Sequence, residues 1–187
     1  MSWIPDTEIG LWNAWIFMAW LVLSPILYNI AIKEKKVSKK LRTSAPMKYE
    51  KTLNVISMAA IIIGFIYSIF LPLKLNTIWF YIGLIIFIIG WIIDLSVMYT
   101  LRKEKHDKPF TTGPYKYSRH PIYLSLNLII VSIIIMSLSW IFLLILIITI
   151  IHIILAVPAE EQYCLKKYGK QYQDYMKKTP RWIGIPK

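Results

Sequence analysis

The sequence predicts an all-α integral membrane protein with five transmembrane helices. The last two form a tight hairpin, and an amphipathic cytoplasmic C-terminal helix follows. Three observations carry this. Of 187 residues, 57% are hydrophobic, with a mean hydropathy of +0.53. That is more apolar surface than a soluble domain of this size buries. The apolar residues come in runs of membrane-spanning length. The 22 Lys and Arg residues, which set a net charge of +12, fall almost wholly between or after those runs. Such placement reads as topology and contact with anionic lipid, not as a nucleic-acid surface.

The whole chain, 1–187, reads as a single membrane domain. The first span covers about 11–32, interrupted by Asn13, Ser24, Pro25 and Asn29, with Trp3, Trp12, Trp15 and Trp20 as interface anchors. Residues 33–51 are a basic, solvated loop. The second span, about 52–73, ends near Pro72 and connects shortly to the third, about 77–100, which carries Asp94 near its end. Asp94 is expected at the interface or paired with Arg102. A second basic segment follows. Residues 121–157 are too long for one crossing, so Ser137-Leu138-Ser139 marks a reversal between spans of about 121–137 and 139–158. The second of these ends at Pro158, with Glu160 and Glu161 just beyond it.

The charges test the topology. Eight basic residues lie in the first loop, six in the second and seven in the tail, and Lys74 stands alone. Five spans with the N-terminus outside put all three clusters on the cytoplasmic side. The N-terminus lacks the basic region of a cleaved signal, so the first run is expected to be retained. The single cysteine, Cys164, excludes an intrachain disulfide and reads as an inert helical residue.

The chemistry gathers in Gly113-Pro114-Tyr115-Lys116-Tyr117-Ser118-Arg119-His120-Pro121-Ile122-Tyr123. Gly113-Pro114 is a turn signal. Pro121 suits the first position of a helix. Arg119 and His120 would then lie where a membrane helix meets water, beside its orphan N–H groups, a site suited to an anionic or polar ligand. The bland alternative is an interfacial cap. The hairpin returns Glu160-Glu161 to the same membrane side as this segment. Adjacent carboxylates repel unless something positive is near; Arg119 is one candidate partner, and a cationic ligand or hydrogen-bonding hydroxyl groups are another. Plain solvation of the pair is the alternative.

The segment 113–123 resembles the G-P-Y-x-Y-x-R-H-P-x-Y signature of the isoprenylcysteine carboxyl methyltransferase family and its relatives, including phospholipid methyltransferases. Val157-Pro158-Ala159-Glu160-Glu161, Tyr168-Gly169, Tyr172, Tyr175 and Thr179-Pro180-Arg181 are similar to that family's tail. The likeness covers about 105–186. Ser125 stands where the family often has Gly, and Tyr163-Cys164 where a turn is usually aliphatic.

The resemblance implies S-adenosylmethionine as methyl donor and S-adenosylhomocysteine as product, bound at the cytoplasmic end of the last two helices under the tail. It assigns Arg119, His120 and Glu161 to catalysis. It assigns Tyr117, His120, Pro121, Tyr123, Glu160, Glu161, Tyr172 and Tyr175 to the cofactor. The carboxylates suit positive groups or ribose hydroxyls, Arg119 and His120 suit a carboxylate or adenine edge, and the tyrosines suit adenine or the sulfonium. The implied partners are membrane lipid and a lipid-like acceptor, with no metal and no nucleic acid. An isoprenylated cysteine, a phospholipid amine and a small hydrophobic carboxylate or thiol all remain open as acceptors. Two rivals stand beside it. One is a nicotinamide-dependent reductase of the sterol reductase type, which shares R-H-P-x-Y; the other is a non-catalytic membrane protein or small transporter.

Overall fold

A computed structural model describes residues 8–31, 50–104 and 107–186. Trp3, Lys105, Lys187 and nearly all of the first basic loop lie outside these. The described residues form six α-helices and no strand; the one β-pairing is an isolated bridge between Asn13 and Pro72. The helices are α1 (Trp15–Ala31), α2 (Glu50–Ser68), α3 (Ile78–Lys103), α4 (Pro121–Ser137), α5 (Trp140–Tyr168) and α6 (Lys170–Lys178), with a 3-10 turn at Gly113–Lys116. All five expected apolar runs are thus helical over much of their length. Two helices, α3 and α5, are long and apolar enough to cross a bilayer; the other three apolar helices are shorter.

Local chemistry sets the boundaries. Thr77 caps α3, its hydroxyl accepting the Phe80 N–H at 3.4 Å, and Arg102 and Lys103 complement the dipole of its last turn. Pro121 starts α4, and Leu138, in the left-handed region at φ 53, reverses the chain before α5. The second run stops being helical at Ser68, earlier than hydropathy suggests. Pro72 cannot continue a helix and biases its predecessor away from one. The freed segment is packed instead: Leu71 is fully buried and its carbonyl accepts the Ala14 N–H at 3.0 Å. Asn13 donates to the carbonyls of Glu8 and Ile69 at 2.6 and 2.7 Å.

Two further differences bear on the site. First, α5 does not end at Pro158 but runs on to Tyr168. Pro158 faces outward, and one missing N–H does not break a helix otherwise in register. Glu160 and Glu161 are therefore helical residues. Second, the most extensive helix pairing is α3 with α4, more than α4 with α5. Gly83 and Gly90 explain it, because a Cβ on Gly83 would meet the Ser132 carbonyl at 2.8 Å and one on Gly90 the Ser125 carbonyl at 3.3 Å. Small residues let membrane helices approach backbone to backbone. The main core, with Met18, Leu71, Ile133, Met136 and Phe142, lies toward the Leu138 reversal. The polar site occupies the other end of α4 and α5.

Candidate functional site

The segment 107–120 arrives from α3 and turns at Gly113, whose φ of +56 suits glycine. A Cβ there would also strike the Thr100 hydroxyl at 2.5 Å. The turn delivers Arg119 and His120 to the first residue of α4. From the other side come the last turns of α5 and then α6, which buries Tyr172 and Tyr175. The Tyr175 hydroxyl donates to the Tyr115 carbonyl at 2.7 Å.

Glu161 is the hub, only 3% exposed. The Arg181 guanidinium holds it in a fork, Nε at 3.2 Å and Nη2 at 2.6 Å. Arg119 Nη1 lies 3.1 Å and His120 Nε2 3.3 Å from its Oε1. Burial works against its charge, but the hydrogen bonds from His120 and Arg181 and the charges of both arginines outweigh it. The carboxyl is held at about 2. His120 faces Glu160 with its other nitrogen, Nδ1 to Oε2 at 3.5 Å. Burial favours the neutral ring, yet the two carboxylates prevail and raise its pKa. With an acceptor facing each nitrogen, the doubly protonated imidazolium satisfies both, whereas a neutral ring would aim a lone pair at one of them.

A cavity of about 360 Å³ adjoins this network, within the range of small-molecule sites. Arg119, His120, Pro121, Tyr123, Glu160, Tyr172 and Tyr175 all line it. Its remaining wall is mostly apolar and aromatic, with Leu101, Phe110, Ile122 and Tyr168 among its residues. Tyr123 donates its hydroxyl proton to Glu160. Cys164 also lines the cavity; burial and the nearby Glu160 push its thiol up to about 11, so it stays protonated. Burial likewise pushes the phenols of Tyr115, Tyr172 and Tyr175 up.

One feature of the cavity points to a ligand. The Arg119 side chain is 9% exposed, and its Nε and Nη1 find no hydrogen-bond partner among the described residues. Nη1 sits at ion-pair distance from Glu161 but is not aligned with it as a donor. Unmet buried donors are costly, most of all charged ones. The same side chain lines the cavity, so an anion bound there would lie beside an incompletely satisfied guanidinium.

The structure brings together every sequence-selected site residue except two at the cavity wall. Tyr117 is half exposed and outside the lining, its carbonyl accepting the Gly184 N–H at 3.1 Å. Glu161 lies behind the wall, under Arg119 and His120. Arg181, which the tail pattern contains without assigning it a role, makes the tightest contact to Glu161. Asp94 departs from its expected pairing with Arg102. It is 4% exposed and accepts from Trp20 Nε1 at 3.0 Å, Tyr28 Oη at 2.7 Å and Ser125 Oγ at 3.1 Å. Each donor was visible in the sequence, but no local spacing joins α1 to α3. Among the described residues, no group of three or more His, Cys, Asp or Glu is placed to hold a metal.

Two of the helices are long and apolar enough to cross a bilayer, and a cavity with polar groups in its wall lies at one end of α4 and α5. The family is given by comparison: a phospholipid methyltransferase family model matches residues 78–171, from the start of α3 into α6. The chain belongs to the phospholipid methyltransferase family, and methyl transfer is its reaction class. No curated protein matches it.

Proposed function

We propose that the chain transfers methyl groups from S-adenosylmethionine to a lipid or lipidated acceptor at the cytoplasmic membrane face. The acceptor is a phospholipid amine or an isoprenylcysteine-type carboxylate. In this reading five helices span the membrane, with the N-terminus outside and the C-terminus in the cytosol, as the basic clusters favour.

The observation that carries the reading is Arg119, which lines the cavity at the N-terminus of α4 and whose buried Nε and Nη1 lack a hydrogen-bond partner among the described residues. Its guanidinium fits the donor's carboxylate. When bound, S-adenosylmethionine supplies an electrophilic methyl group on a sulfonium. Glu160, tied to Tyr123 and His120, gives the wall a negative charge suited to an ammonium or ribose hydroxyls. Pro121, Tyr123, Tyr172 and Tyr175 supply packing surface for an adenine and π-faces for a cation. The apolar remainder of the wall excludes water and suits an acyl or prenyl chain. Alignment and desolvation are what methyl transfer needs most.

Roles follow from contacts. Arg119 and His120 touch the cavity and bind the donor. His120, flanked by two carboxylates, acts as a cation and not as a base. Glu161 is a positioning residue that holds Arg119, His120 and Arg181 in place. Tyr117, exposed and outside the wall, contributes no contact.

Calorimetric titration of the purified protein in detergent with S-adenosylhomocysteine, and in parallel with NADPH, tests the reading. Binding of S-adenosylhomocysteine alone is expected. Binding of NADPH alone would replace it with the reductase reading. Transfer of labelled methyl to phosphatidylethanolamine, compared with an isoprenylated cysteine, then separates the two acceptors.

A further inference from the structure

Residues 179–186 form a strap beside the polar site. Its inner side is stitched to the segment that carries Arg119. The Pro180 carbonyl accepts the Arg119 N–H at 3.1 Å, the Arg181 carbonyl accepts the Ser118 hydroxyl at 3.4 Å, and the Gly184 N–H donates to the Tyr117 carbonyl at 3.1 Å. Arg181 reaches inward to Glu161, and the Trp182 ring lies 6.2 Å from the His120 ring.

The outer side has a different chemistry. Trp182 is 43%, Ile183 70% and Ile185 89% exposed, next to the half-exposed Tyr117. Exposed lysines lie on the adjoining segments: Lys116 on the 3-10 turn, and Lys178 with Lys177, which pairs with Asp174 at 3.7 Å, at the end of α6. Tryptophan and aliphatic residues with a basic rim are the composition of an interfacial anchor. The strap hangs from α6, directly after α5, a helix long and apolar enough to cross the bilayer. A lipid surface is therefore within reach, and the lysines make an anionic one complementary.

We infer that the strap is a lipid-seated latch. Trp182, Ile183 and Ile185 enter the headgroup layer of an anionic membrane, and that seating keeps Arg181 on Glu161. The geometry makes the coupling direct, because the residues that face lipid and the residue that clamps Glu161 are neighbours on one short segment. With the strap lifted, Glu161 loses its fork, and Arg119 and His120 lose a positioned partner. The consequence for ligand affinity rests on the donor-site reading above; the seating itself does not.

The test uses the full chain at one copy per lipid nanodisc. Hydrogen exchange of the peptide covering 179–186 is compared in phosphatidylcholine and in phosphatidylcholine with phosphatidylglycerol. Exchange should slow in the anionic discs by about fivefold for each engaged lysine, the effect expected of one cation near an anionic surface. The double variant Ile183→Ser, Ile185→Ser removes only outward side chains, so it should fold and lose this slowing. S-adenosylhomocysteine should bind more weakly, by about fivefold, in neutral discs and in the variant. Equal exchange in both lipids, or an unchanged lipid response in the variant, overturns the latch. Slowing that appears only when discs hold two copies also overturns it, in favour of a second chain on the same surface. If S-adenosylhomocysteine binds nowhere while exchange still follows the lipid, the donor-site reading falls and the latch stands.

Discussion

Two buried carboxylates, Glu161 and Asp94, solve the same problem in opposite ways. Glu161, at the polar end of α5, is held by three cationic groups, Arg119, His120 and Arg181. Asp94, within apolar α3, is held by three neutral donors, the indole of Trp20, the phenol of Tyr28 and the hydroxyl of Ser125. The cationic cage draws on three parts of the chain, and one of its members sits on a terminal strap. The neutral cage rivets α1 to α3 and α4. A buried cation left unpaired costs more than a buried neutral donor left unpaired. The first cage is therefore suited to a site that responds to a ligand or a membrane, and the second to a fixed joint.

The sharpest way to break this contrast is to remove each carboxylate. Glu161→Ala leaves the buried Arg119 and its neighbours without a counter-charge. Losing one side of a buried ion pair costs about 3–5 kcal/mol. Thermal unfolding in detergent should show a large drop, and S-adenosylhomocysteine binding should be lost. Asp94→Ala strands three neutral donors, at a cost nearer 1–3 kcal/mol. It should loosen α1 and, because Asp94 holds the cavity-lining Tyr28, weaken S-adenosylhomocysteine binding less than Glu161→Ala does. Equal losses of stability and affinity in both variants would abolish the distinction.

Acidity and alkalinity probe the cationic cage. Glu161 is depressed from 4.5 to about 2, so its contribution is present above 4.5 and fades as pH falls toward 2. His120 is raised above 6.5, so its contribution is full below 6.5 and is lost as pH rises through the raised value. Melting temperature against pH should therefore form a plateau between 4.5 and 6.5 and decline on both sides. His120→Gln should remove the alkaline decline and keep the acid one. A profile with the same alkaline decline in the variant would show that His120 is not its source.

The two cages were unequally legible in the sequence. The Arg119-His120-Pro121 turn and the Glu160-Glu161 pair stood out because polar residues between apolar runs are conspicuous, and a hairpin must bring its ends together. Arg119 was readable as a partner for the acidic pair on that ground alone. What hydropathy could not give was direction. Neighbouring helical residues point about 100° apart, so Glu161 turns inward while Glu160 stays at the edge. Nor could it show that α5 continues through Pro158, because a proline reads as a stop until packing keeps the helix in register. The pairing of Asp94 with Arg102 fails for a related reason. Arg102 is near Asp94 in sequence, but Trp20 and Tyr28, 74 and 66 residues away, reach it through tertiary packing. The close approach of α3 to α4 did leave a sign, Gly83 and Gly90 seven residues apart on one face.

The smallest test concerns a single proton. Ser125 stands where the family signature often carries Gly, and its hydroxyl faces two acceptors, Asp94 Oδ1 at 3.1 Å and the Ile122 carbonyl at 2.8 Å. One hydroxyl proton satisfies one acceptor at a time, and the shorter contact is the local one within α4. Asp94 therefore receives only part of a hydrogen bond from Ser125, while Trp20 and Tyr28 each commit a donor to it. Ser125→Ala should cost well under the ~1 kcal/mol of an ordinary hydrogen bond. Tyr28→Phe should cost more, because it removes the 2.7 Å donor outright. Ser125→Gly adds the backbone freedom of glycine in a helix interior, about 0.5–1 kcal/mol against alanine. If Ser125→Ala proves as damaging as Tyr28→Phe in thermal unfolding, Ser125 is a full member of the neutral cage, and the joint between α3 and α4 depends on it as well as on the glycines.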